Sequence, residues 1–247
     1  MTDNNIIFGL RAVIEAIEAG RDIDKIIVKK DMQGELSKEL FNAVKGKNIN
    51  IQKVPVERIN RITRKNHQGV IAFISPITYQ KTDELVPFLF EQGINPIFIL
   101  LDGLTDIRNF GAIARTCECA GIDGIIIPAK NSVSVNADAI KTSAGALHTL
   151  PVCKEQNIRA TIKYLKDCGF KITATTEKGD KDYTAADYSS PTCIIMGAED
   201  RGIPAEHLAL CDECIKIPIK GKIQSLNVSV AAGIIIYDAI TKRTRQQ

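Results

Sequence analysis

Apolar residues in the first third of the chain alternate between helical and extended spacing. Leu10, Val13 and Ile17 recur at helical spacing, and residues 25–29 read as a short strand. The elements predicted after them are a helix over 34–45, a strand over 50–54, a helix opened by Pro55 and a buried strand over 69–74. We therefore predict a small alternating α/β unit in this part of the chain.

Longer apolar runs dominate the rest of the chain. The run over 96–102 is continuous and ends in an acid, which is typical of a parallel strand covered on both faces. Further strands are predicted over 124–128, 170–176, 192–196 and 213–218, and helices over 110–120, 158–167 and 204–210. Residues 228–240 are apolar nearly all round, which predicts a deeply buried helix. Strands that alternate with helices indicate a mainly parallel α/β sheet.

Composition narrows the class of protein. The chain has 247 residues, of which 45% are hydrophobic and 25% charged, with a net charge of +3. These values argue against bulk disorder and against a protein that coats nucleic acid by charge alone. No apolar run reaches about 18 residues, and Met1–Asn5 lacks the basic start of a secretion signal. We expect a cytoplasmic protein without a membrane partner.

The charge is spread unevenly. Residues 1–78 carry 13 basic and 9 acidic side chains, whereas residues 79–247 carry 19 and 20. Together with the pattern of elements, this predicts a basic domain over 1–78, a linker over 79–95 and a second domain over 96–247.

The cysteines do not indicate disulfides or a metal. There are seven, an odd number, and most stand in apolar or helical text. Cys211 and Cys214 have C-x-x-C spacing, but neither a second cysteine pair nor a histidine pair lies nearby. We expect reduced thiols and no metal.

The loops after the predicted strands lack common nucleotide-binding and hydrolase motifs. The text after Leu101 contains no G-x-G-x-x-G, and the two glycines of Gly197–Gly202 are not followed by Lys-Ser or Lys-Thr. The sequence G-x-S-x-G is absent as well. These absences argue against a dinucleotide-dependent oxidoreductase, an NTPase and an α/β-hydrolase.

Three segments instead combine glycines, amides and isolated charges. They are 109–115 (Asn-Phe-Gly-Ala-Ile-Ala-Arg), 196–202 (Met-Gly-Ala-Glu-Asp-Arg-Gly) and 217–229, which contains Ser-Leu-Asn-Val-Ser. Asn109 and Arg115 would differ by about 120° around one straight helix, so the helix would not aim both at one point. We therefore expect Asn109 at or before the start of its helix, where backbone N–H groups favour a phosphate.

In this order and spacing, the three segments resemble the motifs of the SpoU-type RNA ribose 2′-O-methyltransferases of the SPOUT superfamily. The resemblance extends to the first 78 residues, which look like the L7Ae-like RNA-binding domain of the bacterial rRNA branch. The segments 8–16 (Phe-Gly-Leu-Arg-Ala-Val-Ile-Glu-Ala) and 67–69 (His-Gln-Gly) carry that likeness. The branch that it resembles most methylates a guanosine of 23S rRNA.

The resemblance implies an α/β trefoil knot, formed by residues 192–240, that holds S-adenosylmethionine. The residues that would bind this cofactor are Thr175, Thr176, Gly197, Ile217 and Leu226. It also implies a homodimer formed through the second domain. The methyl donor is itself electrophilic, so the reaction needs no metal.

The residues that the resemblance makes catalytic are Asn109, Arg115, Glu199, Ser225 and Asn227. We assign Arg115 to clamping a phosphate, because arginine stays protonated in proteins and is a poor base. In a plainer interpretation Arg115 is a solvated helix residue, while Asn109 and Asn227 only cap helices. Two departures from the family pattern are Asp106-Ile-Arg-Asn109, where a proline is usual, and Asp200-Arg201 in the second motif.

A basic cluster in the first domain is the predicted contact with RNA. It consists of Arg58, Arg61, Arg64 and Lys65, and aromatic residues are sparse around it, which favours recognition of structured RNA by shape and phosphate. An alternative is one solvated helix face. We expect 23S rRNA as the partner. The alternatives are tRNA as the substrate, and a non-catalytic RNA-binding or ribosome-assembly protein.

Overall fold

The computed structural model describes residues 6–47 and 49–245, which form two compact units that divide after Thr78. The segment Met1–Asn5, where we expect no secretion signal, lies outside the described residues. None of the helices described is long and apolar enough to cross a membrane.

Among the residues described, the first unit forms a four-stranded sheet with three helices. Its elements are β1 (Ile6–Phe8), α1 (Leu10–Glu18), β2 (Ile23–Lys29), α2 (Glu35–Val44), β3 (Asn50–Val54), α3 (Val56–Ile62) and β4 (Val70–Ile74). The strand order is β1-β4-β2-β3, with β2 and β3 parallel and the other two pairs antiparallel. Apolar residues of α1 and α2 fill one face of the sheet, and Ile59 of α3 packs against Ile27 and Ile71 on the other.

The second unit is an α/β unit that contains seven strands among the described residues. Its strands are β5 (Ile97–Asp102), β6 (Gly124–Pro128), β7 (Val152–Glu155), β8 (Lys171–Thr175), β9 (Lys181–Asp182), β10 (Thr192–Gly197) and β11 (Glu213–Lys216). Its helices are α4 (Thr82–Glu91), α5 (Ile107–Ala120), α6 (Ala137–Thr142), α7 (Ile158–Asp167), α8 (Ala205–Leu208) and α9 (Val228–Thr244).

Every strand pair of this sheet is parallel, which confirms the predicted class. The order is β7-β6-β5-β10-β8-β11-β9, so that β10, late in the chain, lies between β5 and β8. The central strand β5 is buried along its whole length, as its continuous apolar run predicts. The trefoil knot stays a prediction of the family resemblance.

Residues 79–95, which the sequence suggests as a linker, are part of the second unit. Leu85, Val86 and Leu89 of α4 are buried in the same core as Phe98 and Phe170. The sequence indicates a short helix here, and its apolar residues form a stripe that packs into the core of the second unit.

Helix α9 is less buried than its composition predicts. Ala232, Ile235 and Ile236 are buried, but Val230 and Tyr237 are about half exposed, at 52% and 51%. An apolar face of α9 is therefore open to solvent in the single chain.

Arg243, in the last turn of α9, ties together two distant segments. Its guanidinium donates hydrogen bonds to the carbonyl oxygens of Tyr188 (2.7 Å) and Ser190 (2.6 Å), and to those of Asn95 and Pro96. Burial lowers the pKa of Arg243 below its ordinary value, although the nearby Asp123 carboxylate acts against this. The group stays charged, because arginine remains protonated in proteins.

Replacing Arg243 by alanine is expected to lower the free energy of unfolding by about 2–3 kcal/mol, because several carbonyl groups lose a charged donor. Urea unfolding followed by circular dichroism measures the change. Arg245→Ala is the matched control: it removes an exposed arginine two residues away and should stay within about 0.5 kcal/mol of the parent. An equal loss of unfolding free energy in both variants would show that the hydrogen bonds of Arg243 do not stabilise the fold.

Candidate active site

The carboxyl ends of three neighbouring strands meet in the middle of the second sheet. Gly197, at the end of β10, is in register with Asp102 of β5, and Met196 is in register with Thr175 of β8. The loops that follow β5, β8, β10 and β11 therefore leave the sheet at one edge, where ligands bind in parallel α/β folds.

A cavity of about 450 Å³ opens at this edge. Its walls include the five predicted cofactor-binding residues Thr175, Thr176, Gly197, Ile217 and Leu226, and the predicted catalytic residues Glu199, Ser225 and Asn227. Met196, Ile203 and Ala231, which are not among the predicted site residues, add apolar surface. The size is within the usual range for small-molecule sites.

Gly197 sits where the chain folds back on itself. Gly202 N–H donates to the Ala198 carbonyl at 2.8 Å, which closes the loop after β10. A Cβ at position 197 would lie 2.4 Å from the carbonyl carbon of Gly202 and 2.5 Å from Ile203 N. Only glycine fits here without moving the backbone of the cavity wall.

Three of the predicted catalytic side chains form one hydrogen-bonded cluster. Glu199 Oε1 accepts from Asn109 Nδ2 at 2.9 Å and from Asn227 Nδ2 at 3.1 Å. Asn227 Nδ2 also donates to Asn109 Oδ1 at 3.0 Å, and Val228 N–H approaches Glu199 Oε1 at 3.5 Å. The cluster joins residues up to 118 positions apart along the chain.

Helix caps hold two members of this cluster in place. Asp106 precedes α5 and accepts a hydrogen bond from the Asn109 backbone at 2.8 Å, so Asn109 lies inside the first turn. The expectation that Asn109 stands at or before the helix start is wrong, because the aspartate three residues earlier takes the capping position. Asn227 does cap α9, through Oδ1, and contributes to the cluster through Nδ2.

The cluster leaves one carboxylate oxygen available. Within the described residues, all hydrogen bonds to Glu199 use Oε1, and Oε2 has no partner. Because the contacts to Oε1 fix the carboxylate at the cavity wall, Oε2 can accept a hydrogen bond from a hydroxyl without further rearrangement. The arrangement is suited to orienting a hydroxyl group.

The structure does not bring Arg115 into this cluster. Its side chain is exposed and has no hydrogen bond or ion pair within the described chain. Arg115 stands six residues after Asn109 on α5, a rise of about 9 Å along the helix. Ser225 lines the cavity but is likewise without a hydrogen bond in the described residues.

The basic cluster of the first unit is exposed throughout. Arg58 and Arg61 lie on α3, and Arg64 and Lys65 follow its end. The Lys65 ammonium lies 5.3 Å from the centre of the Phe8 ring, which brings this cluster next to the segment 8–16. The segment 67–69 also contacts the segment 8–16, because Gln68 Oε1 accepts a hydrogen bond from the Leu10 N–H at 3.0 Å.

Sequence reasoning missed the buried pair at the base of this edge. His207 Nδ1 lies 2.6 Å from Asp102 Oδ2, and both side chains are largely buried. Asp102, an acid at the end of a buried strand, was the only indication of this pair in the sequence. Its partner His207 is 105 residues further along the chain.

The cysteines are free thiols. Burial raises the pKa of Cys153 and of Cys211 to about 12. Burial also raises the pKa of Cys214. Among the residues that the structure describes, no group of three or more His, Cys, Asp or Glu side chains could hold a metal ion.

Each of the two units matches a known protein-family model. The model of the SpoU rRNA Methylase family matches residues 96–237, and that for RNA 2′-O ribose methyltransferase substrate binding matches residues 6–80. The chain belongs to the SpoU methylase family. Its first unit is the substrate-binding domain of that family, and its second is the methylase domain.

A relative from Staphylococcus saprophyticus, named a putative TrmH family tRNA/rRNA methyltransferase, is 36% identical over 96% of each chain. The structure of an AdoMet-bound rRNA methyltransferase from Sinorhizobium meliloti is 26% identical, with a TM-score of 0.58 over 95% of this chain and 86% of that one. The SpoU methyltransferase AviRb from Streptomyces viridochromogenes, at 21% identity and a TM-score of 0.62 over 97% and 90%, shares the fold. These names cover both rRNA and tRNA, so they support the family rather than one branch of it.

Proposed function

We propose that this protein transfers a methyl group from S-adenosylmethionine to the ribose 2′-hydroxyl of a guanosine in 23S rRNA. The observation that supports this most is the hydrogen-bonded cluster of Asn109, Glu199 and Asn227 on the wall of the 450 Å³ cavity. Membership of the SpoU family supports the reaction class.

The cavity fits S-adenosylmethionine on two observations. Thr175 Oγ1 is buried at the cavity wall without a hydrogen-bond partner, so a polar ligand group would satisfy it. The tight loop at Gly197 brings backbone to the wall with no side chain in between. Thr175, Gly197, Ile217 and Leu226 would hold the cofactor, with Thr176 beside them.

When bound, S-adenosylmethionine supplies a sulfonium-activated methyl group, so the protein's task is alignment and removal of a proton. Glu199 Oε2 accepts the hydrogen bond of the 2′-hydroxyl, since Oε1 is occupied by the two asparagines. Asn109 and Asn227 fix the carboxylate, and Ser225 closes the cavity beside them. Arg115 clamps a phosphate of the RNA, for which its guanidinium is free.

The first unit supports a folded RNA as the substrate, and we take this RNA to be rRNA. The substrate-binding model matches the unit, and the exposed cluster of Arg58, Arg61, Arg64 and Lys65 offers positive charge to a folded RNA. The Sinorhizobium meliloti structure is named an rRNA methyltransferase, although the Staphylococcus relatives are named for both kinds of RNA.

A homodimer through the second unit is also part of the proposal. The half-exposed Val230 and Tyr237 on α9 provide an apolar surface that a second copy of the chain would cover. The seven free cysteines support a reducing, cytoplasmic location.

A map of ribose methylation at nucleotide resolution tests the function. RNA from cells that lack the gene is compared with RNA from the parent strain and from a complemented strain. We expect one guanosine of 23S rRNA to lose its mark and regain it on complementation. A mark lost from tRNA would overturn the rRNA assignment, and an unchanged map together with no binding of S-adenosylmethionine would overturn the function.

Gly197→Ala is expected to weaken S-adenosylmethionine binding at least about tenfold, because the new methyl group would displace the backbone at Gly202. Isothermal titration calorimetry measures the affinity, and urea unfolding shows how much of the loss is a loss of fold. Gly221→Ala is the control, since its added Cβ meets nothing within 4 Å. Wild-type affinity in Gly197→Ala would show that the loop after β10 does not form the cofactor site.

A further inference from the structure

A second cavity, of about 700 Å³, lies on the other side of the loop that follows β10. Ala198 and Gly202 line both cavities, so this loop is a wall that they share. Neither the sequence motifs nor the family comparisons assign a ligand to the second cavity. Its volume is within the range of ligand-binding sites.

Three cations reach this cavity from three different elements. Lys130 follows β6, Arg159 stands in the first turn of α7, and Arg201 lies in the shared loop. Lys130 and Arg159 have no ion pair or hydrogen bond within the described residues. Arg201 contacts Asp200 at 3.2 Å, but both side chains are about two-thirds exposed or more, and such pairs contribute little.

Little negative charge opposes these cations. Asp102 lines the cavity but is buried and bonded to His207 at 2.6 Å, which leaves Glu206 as the exposed carboxylate among the lining residues. Cations that converge on a concave surface concentrate positive potential there. The ligand chemistry that this favours is an anion with polar groups around it, such as the phosphate and base of a nucleotide.

We infer that the second cavity binds a phosphodiester and its nucleoside in the RNA substrate, next to the ribose that is methylated. The inference rests on the proposed function, because it takes the first cavity as the site of methyl transfer. The shared loop carries Glu199 towards the first cavity and Arg201 towards the second. An RNA strand that crosses this loop would present one ribose to the cofactor and Glu199 at the first cavity, and a neighbouring nucleotide to the second cavity.

The test uses the double variant Lys130→Ala, Arg159→Ala in the full chain. Filter binding with deproteinised 23S rRNA and with bulk tRNA, both from cells that lack the gene, measures affinity over a series of salt concentrations. We expect affinity for the substrate RNA to fall about tenfold or more, and the salt dependence to lose a slope of about one to two. In steady-state methylation the KM for RNA should rise by a similar factor, while kcat changes less than about twofold.

Lys163→Ala is the matched control, because Lys163 is exposed on the same helix, α7, and does not line the cavity. S-adenosylmethionine affinity and the urea midpoint should be unchanged in both variants. A double variant that binds RNA as well as Lys163→Ala does would overturn the inference. The proposed function fails separately, through a wild-type protein that neither binds S-adenosylmethionine nor methylates RNA.

Guanosine monophosphate distinguishes an RNA strand from a free nucleotide as the source of the phosphate. Calorimetry measures its binding to the wild type and the double variant, and competition with RNA is measured by filter binding. Weak binding that the double variant loses and that RNA displaces supports the inference. Binding that does not compete with RNA would overturn the RNA assignment and indicate a separate nucleotide site.

Discussion

Replacing Glu199 by alanine is expected to lower the rate of methyl transfer by about 100-fold or more, with much smaller changes in the affinities for S-adenosylmethionine and RNA. Glu199 Oε1 receives hydrogen bonds from both Asn109 and Asn227. Without the carboxylate, the two amides lose their common acceptor and the 2′-hydroxyl loses its own. A displacement of about 1 Å in reacting groups is enough to cost about 100-fold in rate.

Single-turnover methylation with radiolabelled cofactor measures this rate apart from binding and product release. Asp200→Ala is the matched control: it removes the next carboxylate on the same loop, which is exposed and contacts only Arg201 among the described residues. A rate in Glu199→Ala equal to that of Asp200→Ala would show that the cluster does not take part in the reaction.

Arg115→Ala is expected to reduce methylation by about 100-fold or more while RNA binding weakens about two- to threefold. Its guanidinium has no partner within the described chain, so its removal should leave the free energy of unfolding within about 0.5 kcal/mol of the parent. A clamp on a phosphate next to the ribose acts on alignment more than on overall affinity, since many other contacts hold a large RNA.

Arg115→Lys refines this result. It keeps the charge but loses the planar, two-pronged donor, so an intermediate rate is expected for a phosphate clamp. Full activity in Arg115→Ala would favour the plainer interpretation of a solvated helix residue. Intact RNA binding with no methylation by the wild type would favour a non-catalytic RNA-binding protein.

The elements that the sequence predicts well are those with a strong periodic pattern. Helix α7 and strands β3 and β6 have the predicted bounds. Apolar residues fill most of β6, and in α7 Ile158, Ile162 and Leu165 recur at helical spacing. Strand β7 escaped prediction: its text includes Lys154, which is buried and lies 4.5 Å from the centre of the Tyr79 ring. The residue that Lys154 contacts is 75 positions away. A prediction from the neighbouring sequence alone therefore places this lysine on the surface.

The candidate site was reachable only through the family motifs. Local spacing suggested that Asn109 begins a helix, whereas Asp106 does so and places Asn109 in the first turn. Nothing in the spacing of residues 109, 199 and 227 indicates that their side chains touch, since these contacts depend on how β10 inserts beside β5. No motif assigns a ligand to the second cavity, and its cations are single residues that follow three different strands.

Asn227 links the stability of α9 to the proposed chemistry. One side chain caps α9 through Oδ1 and holds Glu199 through Nδ2, so natural variation at this position has to satisfy two demands at once. Aspartate and serine cap helices as well as asparagine does, yet aspartate would set a second carboxylate against Glu199 and serine would be too short to reach it. Some substitutions at position 227 would therefore preserve stability and still impair the proposed reaction. Variants designed to raise the melting temperature should keep Asn227.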